Sequence, residues 1–419
     1  MIDASRLLRL KLKNGLRVLA YRQQRLPLIS LGAFVLAGKD QNPLELPGTS
    51  SLTARLLDQG TQKYDHQQLA RALESTGGHV STFSQREMSG LSLQLTSIYL
   101  ALGVELLAEM LCRPRFPTNR FMIEKRKVLS HVKALEDDPS VVGSQLLDRQ
   151  IYRGTSLQFP ILGTVESVNQ LDEDDLSRFH RNNYYPENTV IVAVGDLSEE
   201  EFLSLIKEYF EEWEPGGRKK ELPRLPPRQT EPIQVRHPMG REQVHIYLGH
   251  LGIARTCDDY YKLEVMDAIL GGGPGFTSRI PRKIRDEMGL AYHAYSDICG
   301  SAGVYPGRFV AYAATSPEKM KEALTALVEE IRQVTIDPPT EEELYMARQY
   351  LTGSFVFQFQ GNDNLARFLL TSELFDLPSD FGSLYPKIIG EVTTEDVTRV
   401  ARKYLDTINY SAVLVGSIS

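Results

Sequence analysis

The sequence has 419 residues, which is too long for one ordinary hydrophobic core, so its length predicts about two to four domains. Hydrophobic residues make up 42% and charged residues 24% of the chain, without any biased tract; this composition is typical of a globular protein and excludes extensive disorder. The formal charge of -7 argues against nucleic acid as a main partner.

The cysteines and the N-terminal segment argue against further classes of protein. Cys112, Cys257 and Cys299 are far apart and form no CxxC pair, which argues against a disulfide scaffold and against a cysteine zinc site. The opening MIDASRLLRLKLKNG interleaves charges with leucines and lacks the continuous apolar core of a signal peptide. Because no run of 18 apolar residues occurs, we expect a cytoplasmic protein without a membrane span.

The first half of the chain predicts a sheet accompanied by amphipathic helices. Residues 8–21 are typical of a hairpin, in which Asn14 and Gly15 supply the positive φ angles of a tight turn. Further strands are predicted at 29–37, 79–84, 90–95 and 189–194, and helices at 50–57, 64–75, 99–111, 119–135 and 174–182. We expect Thr49 or Ser50 to cap the first of these helices, and Pro139 to interrupt the helical region after residue 135.

One pattern of the first half recurs in the second. The segment DLSRFHR at 175–181 and the strand at 192–195 match DVTRVAR at 396–402 and the strand at 413–416, at a constant offset of 221. So long an offset indicates domain duplication, because solenoid repeats have periods of about 20 to 50 residues. We therefore predict an α+β protein of two duplicated domains, 1–213 and 233–419, each with a mainly antiparallel sheet and helices on one face. The Pro-rich segment 214–232 is predicted to be the linker.

The stretch GGGPGFTSRIPRKIRDEMGLAY, residues 271–292, is the richest in candidate functional residues. Gly271, Gly272 and Gly273 open a run that predicts a loop able to approach another chain closely. A helix is expected from residue 277 to a cap at Gly289, followed by a strand.

Two interpretations of this stretch remain open from the residues alone. Arg285 and Tyr292 could offer a forked cation and a phenol to a peptide carbonyl at one spot. Alternatively, the cations offset a helix dipole and Tyr292 is an ordinary half-buried strand aromatic. A phosphate-binding loop is excluded, because the glycines are not followed by Gly-Lys-Ser/Thr.

Several segments together resemble the pitrilysin/insulinase family of zinc metallopeptidases, which includes the subunits of the mitochondrial processing peptidase and the core proteins of the respiratory bc1 complex. The segments that carry the resemblance are NGLRVLAY, residues 48–61, VESVNQLDEDDLSRFHRNNYYPEN, VAVGDL, LGGGPGFTSRIPRKIRDEMGLAYHAYS and ATSPEK. The resemblance implies that two duplicated halves form one clamshell half, and that two such units close over an extended peptide.

The resemblance also implies a zinc motif, HxxEH, and a distal glutamate, and here the chain departs from the family. Ser51, Ala54 and Arg55 stand where the family has His, Glu and His, and His131 stands near the distal glutamate. Catalytic zinc needs three protein ligands and a general base, which these side chains do not supply. None of the other histidines forms a pair at i, i+4 spacing. We therefore predict no metal or cofactor in this chain, with zinc in a partner subunit.

The other half of the family's site is retained. Family members hold the substrate backbone with an Arg and a Tyr seven residues apart, which Arg285 and Tyr292 match. The resemblance thus implies a zinc-free subunit that binds the peptide substrate and pairs with a homologous, HxxEH-bearing subunit. Two alternatives remain open: a non-catalytic scaffold or peptide-binding protein, and an independent peptidase with an unrecognised metal site.

Overall fold

The computed structural model of the chain describes residues 6–216, 225, 228–273 and 277–418. The strands are β1 Leu7–Lys11, β2 Arg17–Arg22, β3 Leu28–Val35, β4 His79–Ser84, β5 Ser89–Thr96, β6 Thr189–Gly195, β7 Ile233–Pro238, β8 Val244–Leu251, β9 Ala291–Asp297, β10 Arg308–Thr315 and β11 Ser411–Gly416. The helices are α1 Thr49–Arg55, α2 His66–Glu74, α3 Leu100–Cys112, α4 Thr118–Glu136, α5 Pro139–Ile151, α6 Val165–Gln170, α7 Glu173–Asn183, α8 Glu199–Phe210, α9 Tyr260–Asp267, α10 Arg279–Pro281, α11 Met320–Ile336, α12 Glu341–Phe355, α13 Asn362–Leu374, α14 Phe381–Gly390 and α15 Thr394–Tyr404.

These elements form two compact units that are discontinuous in sequence. Unit 1 contains the described residues within Met1–Lys133, Thr155–Arg224 and Phe357–Asp380. Unit 2 contains those within Ala134–Gly154, Leu225–Val356 and Phe381–Ser419. The boundaries at 213 and 233 therefore remain a prediction about the sequence repeat, and most of the predicted linker 214–232 lies outside the described residues. Among the described residues, no helix has the length and apolar character needed to cross a membrane.

Unit 1 is built on a mixed sheet with the strand order β1-β2-β6-β3-β5-β4. Strands β2 and β6 pair in parallel, and the other neighbours are antiparallel, as expected for a mainly antiparallel sheet. Because side chains alternate along a strand, Val18 and Ala20 contact the core formed with α3 and α8, whereas Leu19 and Tyr21 lie in a second cluster with α13. The prediction of helices on only one face is therefore wrong for this sheet.

The predicted hairpin joins β1 to β2, but its loop differs from a two-residue turn. Gly15 has a φ of 92°, whereas Asn14 is not among the residues with positive φ. Instead, the Asn14 amide donates to the carbonyl oxygens of Phe210, at 2.7 Å, and Trp213, at 3.1 Å, and its Oδ1 accepts from the backbone of Leu16. Asn14 therefore ties the hairpin loop to the end of α8.

Unit 2 contains a mixed sheet with the strand order β7-β11-β8-β10-β9, in which only β7 and β11 pair in parallel. Helix α5 packs against one face, where the Tyr247 hydroxyl donates to the carbonyl of Ser140 at 2.7 Å. The adjacent side chain, Leu248, lines a small cavity together with Val328 and Ile331 of α11. Helices thus cover both faces of this sheet as well.

Helix α5 corrects the prediction that Pro139 interrupts the helical region. Pro139 is the first residue of α5, a position where its missing N–H costs no hydrogen bond. Asp138 caps the helix by accepting from the backbone N–H groups of Ser140 and Val141. Because Pro139 follows a long predicted helix, the sequence pattern indicated the end of that helix. The same proline also starts the next helix, α5, which the pattern did not reveal.

The repeated segments form matching elements. Helices α7 and α15 begin and end at positions that differ by the predicted offset of 221. Each starts with a capping box, formed by Asp172 with Asp175 in unit 1 and by Thr393 with Asp396 in unit 2. The central strands β6 and β11 follow them at corresponding positions, which agrees with domain duplication.

Candidate functional site

In unit 1, helix α1 carries the three positions of the degenerate metal motif. The helix is capped by Gly48, with a φ of 97°, and the expectation that Thr49 or Ser50 is the cap is wrong. A Cβ on Gly48 would lie 2.6 Å from the carbonyl oxygen of Leu162, so only glycine fits there. The N–H of Ser50 is instead satisfied by the Asn42 side chain, at 2.8 Å. Packing and backbone conformation therefore account for the glycine at position 48.

The motif side chains themselves are mostly hidden. Ser51 is 4% exposed and Ala54 1% exposed, while Arg55 is half-buried at the end of the helix. Their neighbours Leu52 and Leu56 pack against α4 in one hydrophobic cluster. His131, also on α4, is exposed. Helix α1 thus has a buried hydroxyl, a methyl group and a cation where a zinc peptidase needs two imidazoles and a carboxylate.

These donors do not fit a zinc ion. A serine hydroxyl is a poor neutral ligand, and the guanidinium of Arg55 adds a permanent positive charge where the metal would stand. Within 6–216, 225, 228–273 and 277–418, no three His, Cys, Asp or Glu side chains are grouped so that they could hold a metal ion. The absence of zinc from this chain remains a prediction.

Two carboxylates near α1 were not predicted. Glu124 of α4 is 5% exposed and accepts from Lys127 Nζ at 2.7 Å. Burial raises the pKa of Asp58, just after α1, and the neighbouring Glu124 raises it further, whereas Gln59 and His66 lower it. In the sequence, a buried acidic residue cannot be distinguished from a solvent-exposed one, so no sequence pattern could have identified Asp58 and Glu124.

Two of the remaining histidines have structural partners. His180 has Nε2 2.8 Å from the carbonyl oxygen of Leu111 and stacks on Tyr184, and burial lowers its pKa to about 4. His250 accepts from the N–H of Asp406 at 3.1 Å, and burial lowers its pKa. Both imidazoles therefore favour the neutral form and serve packing.

In unit 2, the glycine segment was expected to be a loop, and this is wrong for its first residues. Residues Ala268–Gly272 form a π-helical turn that continues α9. A Cβ on Gly271 would lie 2.4 Å from the backbone nitrogen of Ser296, and one on Gly273 would lie 2.5 Å from the carbonyl oxygen of Ala268. The close approach predicted from the glycines is thus made within the chain itself. The part of the predicted loop at 274–276 lies outside the described residues.

Arg285 lies in a second π-helical turn, Arg282–Glu287, which follows the short helix α10. The predicted helix therefore starts at residue 279 and is partly π-helical, while the predicted left-handed cap at Gly289, with a φ of 59°, is confirmed. The guanidinium donates to both carboxylate oxygens of Asp286, from Nε at 2.7 Å and from Nη2 at 3.1 Å. This fork raises the pKa of Arg285, and the nearby phenol of Tyr292 contributes to the rise.

Tyr292 is placed by an irregularity in the sheet. On β10, Ala314 pairs with His293 and the next residue, Thr315, pairs with Ala291, so Tyr292 is an extra residue in β9. Such bulges redirect a side chain and are frequent near active sites. Tyr292 is 88% exposed, and it is therefore not the half-buried aromatic of the alternative interpretation. Strand pattern alone gives no signal for a bulge.

A buried ion pair anchors this region to α12. Arg279 donates from Nε and Nη2 to the two carboxylate oxygens of Glu343, at 2.8 and 2.9 Å. Glu343 also accepts from the backbone N–H of Thr340, which caps α12. A bidentate pair of this kind fixes orientation, so the turn that carries Arg285 has a rigid support.

The family descriptions and the relatives that match this chain point to the same family of peptidases. The description "Insulinase (Peptidase family M16)" matches residues 17–165, and "Peptidase M16 inactive domain" matches residues 170–351. An uncharacterized zinc protease of Streptomyces coelicolor is 27% identical over 406 residues, covering 95% of this chain and 87% of the relative. The mitochondrial-processing peptidase subunit beta of Dictyostelium discoideum is 22% identical, covering 97% and 88%.

A solved structure supports the same fold. The crystal structure of a peptidase M16 inactive domain from Pseudomonas fluorescens superposes with a TM-score of 0.89 at 23% identity, covering 98% of both chains. The two mixed sheets and the two matched family descriptions both indicate two successive domains. The chain is a homologue of the M16, or insulinase-family, peptidases, with an N-terminal M16 domain and a C-terminal domain of the M16 inactive type.

Proposed function

We propose that this chain is the zinc-free, substrate-binding subunit of a heterodimeric metalloendopeptidase-like complex that cleaves peptides. The observation that carries the proposal is Tyr292, an exposed phenol inserted by a bulge beside Arg285. In contrast, the motif positions Ser51, Ala54 and Arg55 supply neither metal ligands nor a general base. The chain keeps the substrate half of the family's site and lacks the metal half.

Arg285 and Tyr292 suit a peptide carbonyl. A guanidinium and a phenol are both hydrogen-bond donors, and donors aimed at an oxygen that gains negative charge stabilise the transition state. The two hydrogen bonds to the Asp286 carboxylate restrain the Arg285 side chain. This restraint lowers the conformational entropy that Arg285 loses when a peptide binds. In this proposal both side chains hold the scissile carbonyl while another chain supplies the metal.

The sheet edges favour an extended peptide. Strand β4 is one of the two outer strands of the unit 1 sheet, and Ser84 at its end donates to the Ser50 hydroxyl of α1 at 3.1 Å. Strand β9, which carries Tyr292, is one of the two outer strands of the unit 2 sheet. An outer strand presents backbone donors and acceptors that an extended peptide can pair with.

The partner in this proposal is a homologous subunit with an intact HxxEH motif. The similarity to a processing-peptidase subunit supports a two-chain enzyme, because that protein is itself one subunit of a peptidase. Zinc bound in the partner would lower the pKa of the attacking water and polarise the carbonyl. This chain would bind and orient the peptide.

Complementation tests the proposal. The HxxEH homologue that copurifies with the native chain is assayed for peptide hydrolysis alone, with this chain, and with its Arg285→Ala and Tyr292→Phe variants. We expect each chain alone to be a poor peptidase, the mixture to be active, and each variant to lower turnover about 100-fold or more, as loss of one preorganised donor does. Gel filtration is the control, since both variants should still bind the partner.

Other outcomes would contradict the proposal in distinct ways. If both variants leave hydrolysis unchanged, the chain serves as a scaffold. If the purified chain alone cleaves peptides and a chelator stops it, the chain is an independent peptidase with a metal site of its own.

A further inference from the structure

A buried carboxyl group lies directly beneath the glycine segment of unit 2. Asp267 is the last residue of α9 and is 6% exposed. Its Oδ1 accepts from the Ser296 hydroxyl of β9 at 2.6 Å, and the carboxyl also accepts from the backbone N–H of Ile298. One side chain therefore joins the end of α9 to the end of β9.

The glycine turn is packed against this carboxyl without spare room. A Cβ on Gly272 would lie 2.5 Å from Asp267 Oδ2, and a Cβ on Gly271 would lie 2.7 Å from the Ser296 hydroxyl oxygen. Such distances are shorter than any ordinary contact, so no residue larger than glycine fits unless the carboxyl or the strand moves. The glycine turn, Asp267 and Ser296 therefore pack tightly against one another.

We propose that Asp267 is a positioning residue for the proposed substrate-binding pair, Arg285 and Tyr292. Asp267 fixes the glycine turn, Ala268–Gly272, against β9 and thereby sets the position of Tyr292. The inference rests on the proposed function, since it assigns Asp267 a task in the same substrate site. Asp267 acts through its neighbours, because the carboxyl is buried below Gly272, whereas Gly272 is exposed.

The charges around Asp267 make this packing sensitive to pH. Burial is the largest cause that raises the pKa of Asp267 to about 7; Asp297 on β9 and Glu264 on α9 contribute to the rise, and the Ser296 hydroxyl and the Ile298 N–H oppose it. Burial also raises the pKa of Glu264 to about 7. The thiol of Cys299, after β9, also faces this group. Above neutral pH the site would hold a buried carboxylate beside two other acids.

The sign of the effect follows from linkage. The folded-state pKa lies above the ordinary 3.8, so the stabilising contribution of Asp267 is complete below about pH 4 and is lost as the pH rises through about 7. The turn is therefore held most tightly when Asp267 is neutral. Ionisation should loosen the turn from β9 without unfolding the sheet.

Hydrogen exchange on the isolated chain tests the packing directly. Protection factors of amides in 268–273 and 291–297 are compared at pH 6 and pH 8 in wild type and Asp267→Asn. We expect wild-type protection to fall about tenfold at pH 8, one unit above the pKa of Asp267. The fall should be clearly smaller in Asp267→Asn, in which Glu264, with its own raised pKa, still titrates in this range. An equal pH dependence in both proteins would overturn the inference.

Two further variants separate positioning from a general loss of charge. Asp258→Asn removes the same charge from an exposed residue near the start of α9 and should keep the wild-type pH dependence. Ser296→Ala removes the hydroxyl that joins Asp267 to β9 and should lower protection at pH 6. Wild-type protection in Ser296→Ala would contradict the inference.

A second experiment measures peptide hydrolysis by the complex of this chain with the HxxEH partner. The pH profile of kcat/KM should decline above about pH 7 in wild type and should decline less steeply in Asp267→Asn, in which Glu264 still titrates. If no protein hydrolyses peptide but the exchange pattern holds, the proposed function fails while the positioning role of Asp267 stands. If hydrolysis is efficient and Asp267→Asn keeps the wild-type profile, the positioning role fails and the proposed function stands.

Discussion

Helix α1 of unit 1 carries the altered motif positions, and the segment 268–297 of unit 2 carries Arg285 and Tyr292, the proposed substrate-binding pair; the two regions differ in what their side chains offer. In α1 the capping Gly48 is present, but two of the three motif positions, Ser51 and Ala54, are buried, and none of the three supplies a metal ligand. In 268–297 the glycines make close contacts and Tyr292 remains exposed on a bulge. Comparing them teaches that packing can account for a motif glycine such as Gly48, whereas packing does not account for Tyr292, which is exposed on an edge strand.

The largest effect is expected from a substitution at the glycine turn. In Gly271→Ala the new Cβ would meet the backbone of Ser296 at 2.4 Å, so the turn must separate from β9. We expect destabilisation of about 1–3 kcal/mol in urea unfolding together with loss of peptide affinity. The control is Gly353→Ala, an exposed helical glycine with open space around it, which should stabilise by about 0.5–1 kcal/mol. Equal effects of the two changes would refute the close-contact account.

Restoring the motif in α1 should not restore activity. The triple variant Ser51→His, Ala54→Glu and Arg55→His places large polar groups at two almost fully buried positions and one half-buried position, and His131 still supplies no distal carboxylate. Side chains that orient zinc ligands typically contribute about 10- to 100-fold, and these have no reason to persist here. Peptide hydrolysis is measured with and without a chelator, with Arg55→His as the control. Strong chelator-sensitive cleavage would show that α1 is still a working metal scaffold.

The smallest effect is expected from the hydrogen bond that Asn42 makes with the first turn of α1. Asn42→Ala removes the acceptor of the Ser50 N–H and should cost about 1 kcal/mol of stability in urea unfolding. Peptide affinity should not change, because in this account α1 has only a structural role. A marked loss of affinity would indicate that α1 contributes to substrate binding and would weaken the contrast between the two regions.

Local patterns allowed much of the fold to be predicted from sequence. Alternating residues and the Asn-Gly pair indicated the first hairpin, and the offset of 221 predicted two matching helices and strands. Helix α13, in contrast, packs on the unit 1 sheet although its residues lie far along the chain. Its packing partner is set by tertiary contacts, which no local period encodes.

The candidate site divides in the same way. Residue types and spacing indicated Arg285 and Tyr292, and the resemblance to the family indicated the altered motif positions; the role of Arg285 and Tyr292 in binding stays a prediction. The bulge at Tyr292 and the packing of Asp267 beneath Gly272 depend on which strands and turns become neighbours. An aspartate four residues before a glycine run could have drawn attention, but only the fold shows that it is buried.

The zinc content of the purified chain tests the account most directly. Elemental analysis after dialysis against micromolar zinc is compared for wild type and for the HxxEH partner. The account predicts a metal-to-chain ratio near zero for this chain and near one for the partner, because Ser51, Ala54 and Arg55 leave no ligand set on α1. A ratio near one for this chain would contradict the account.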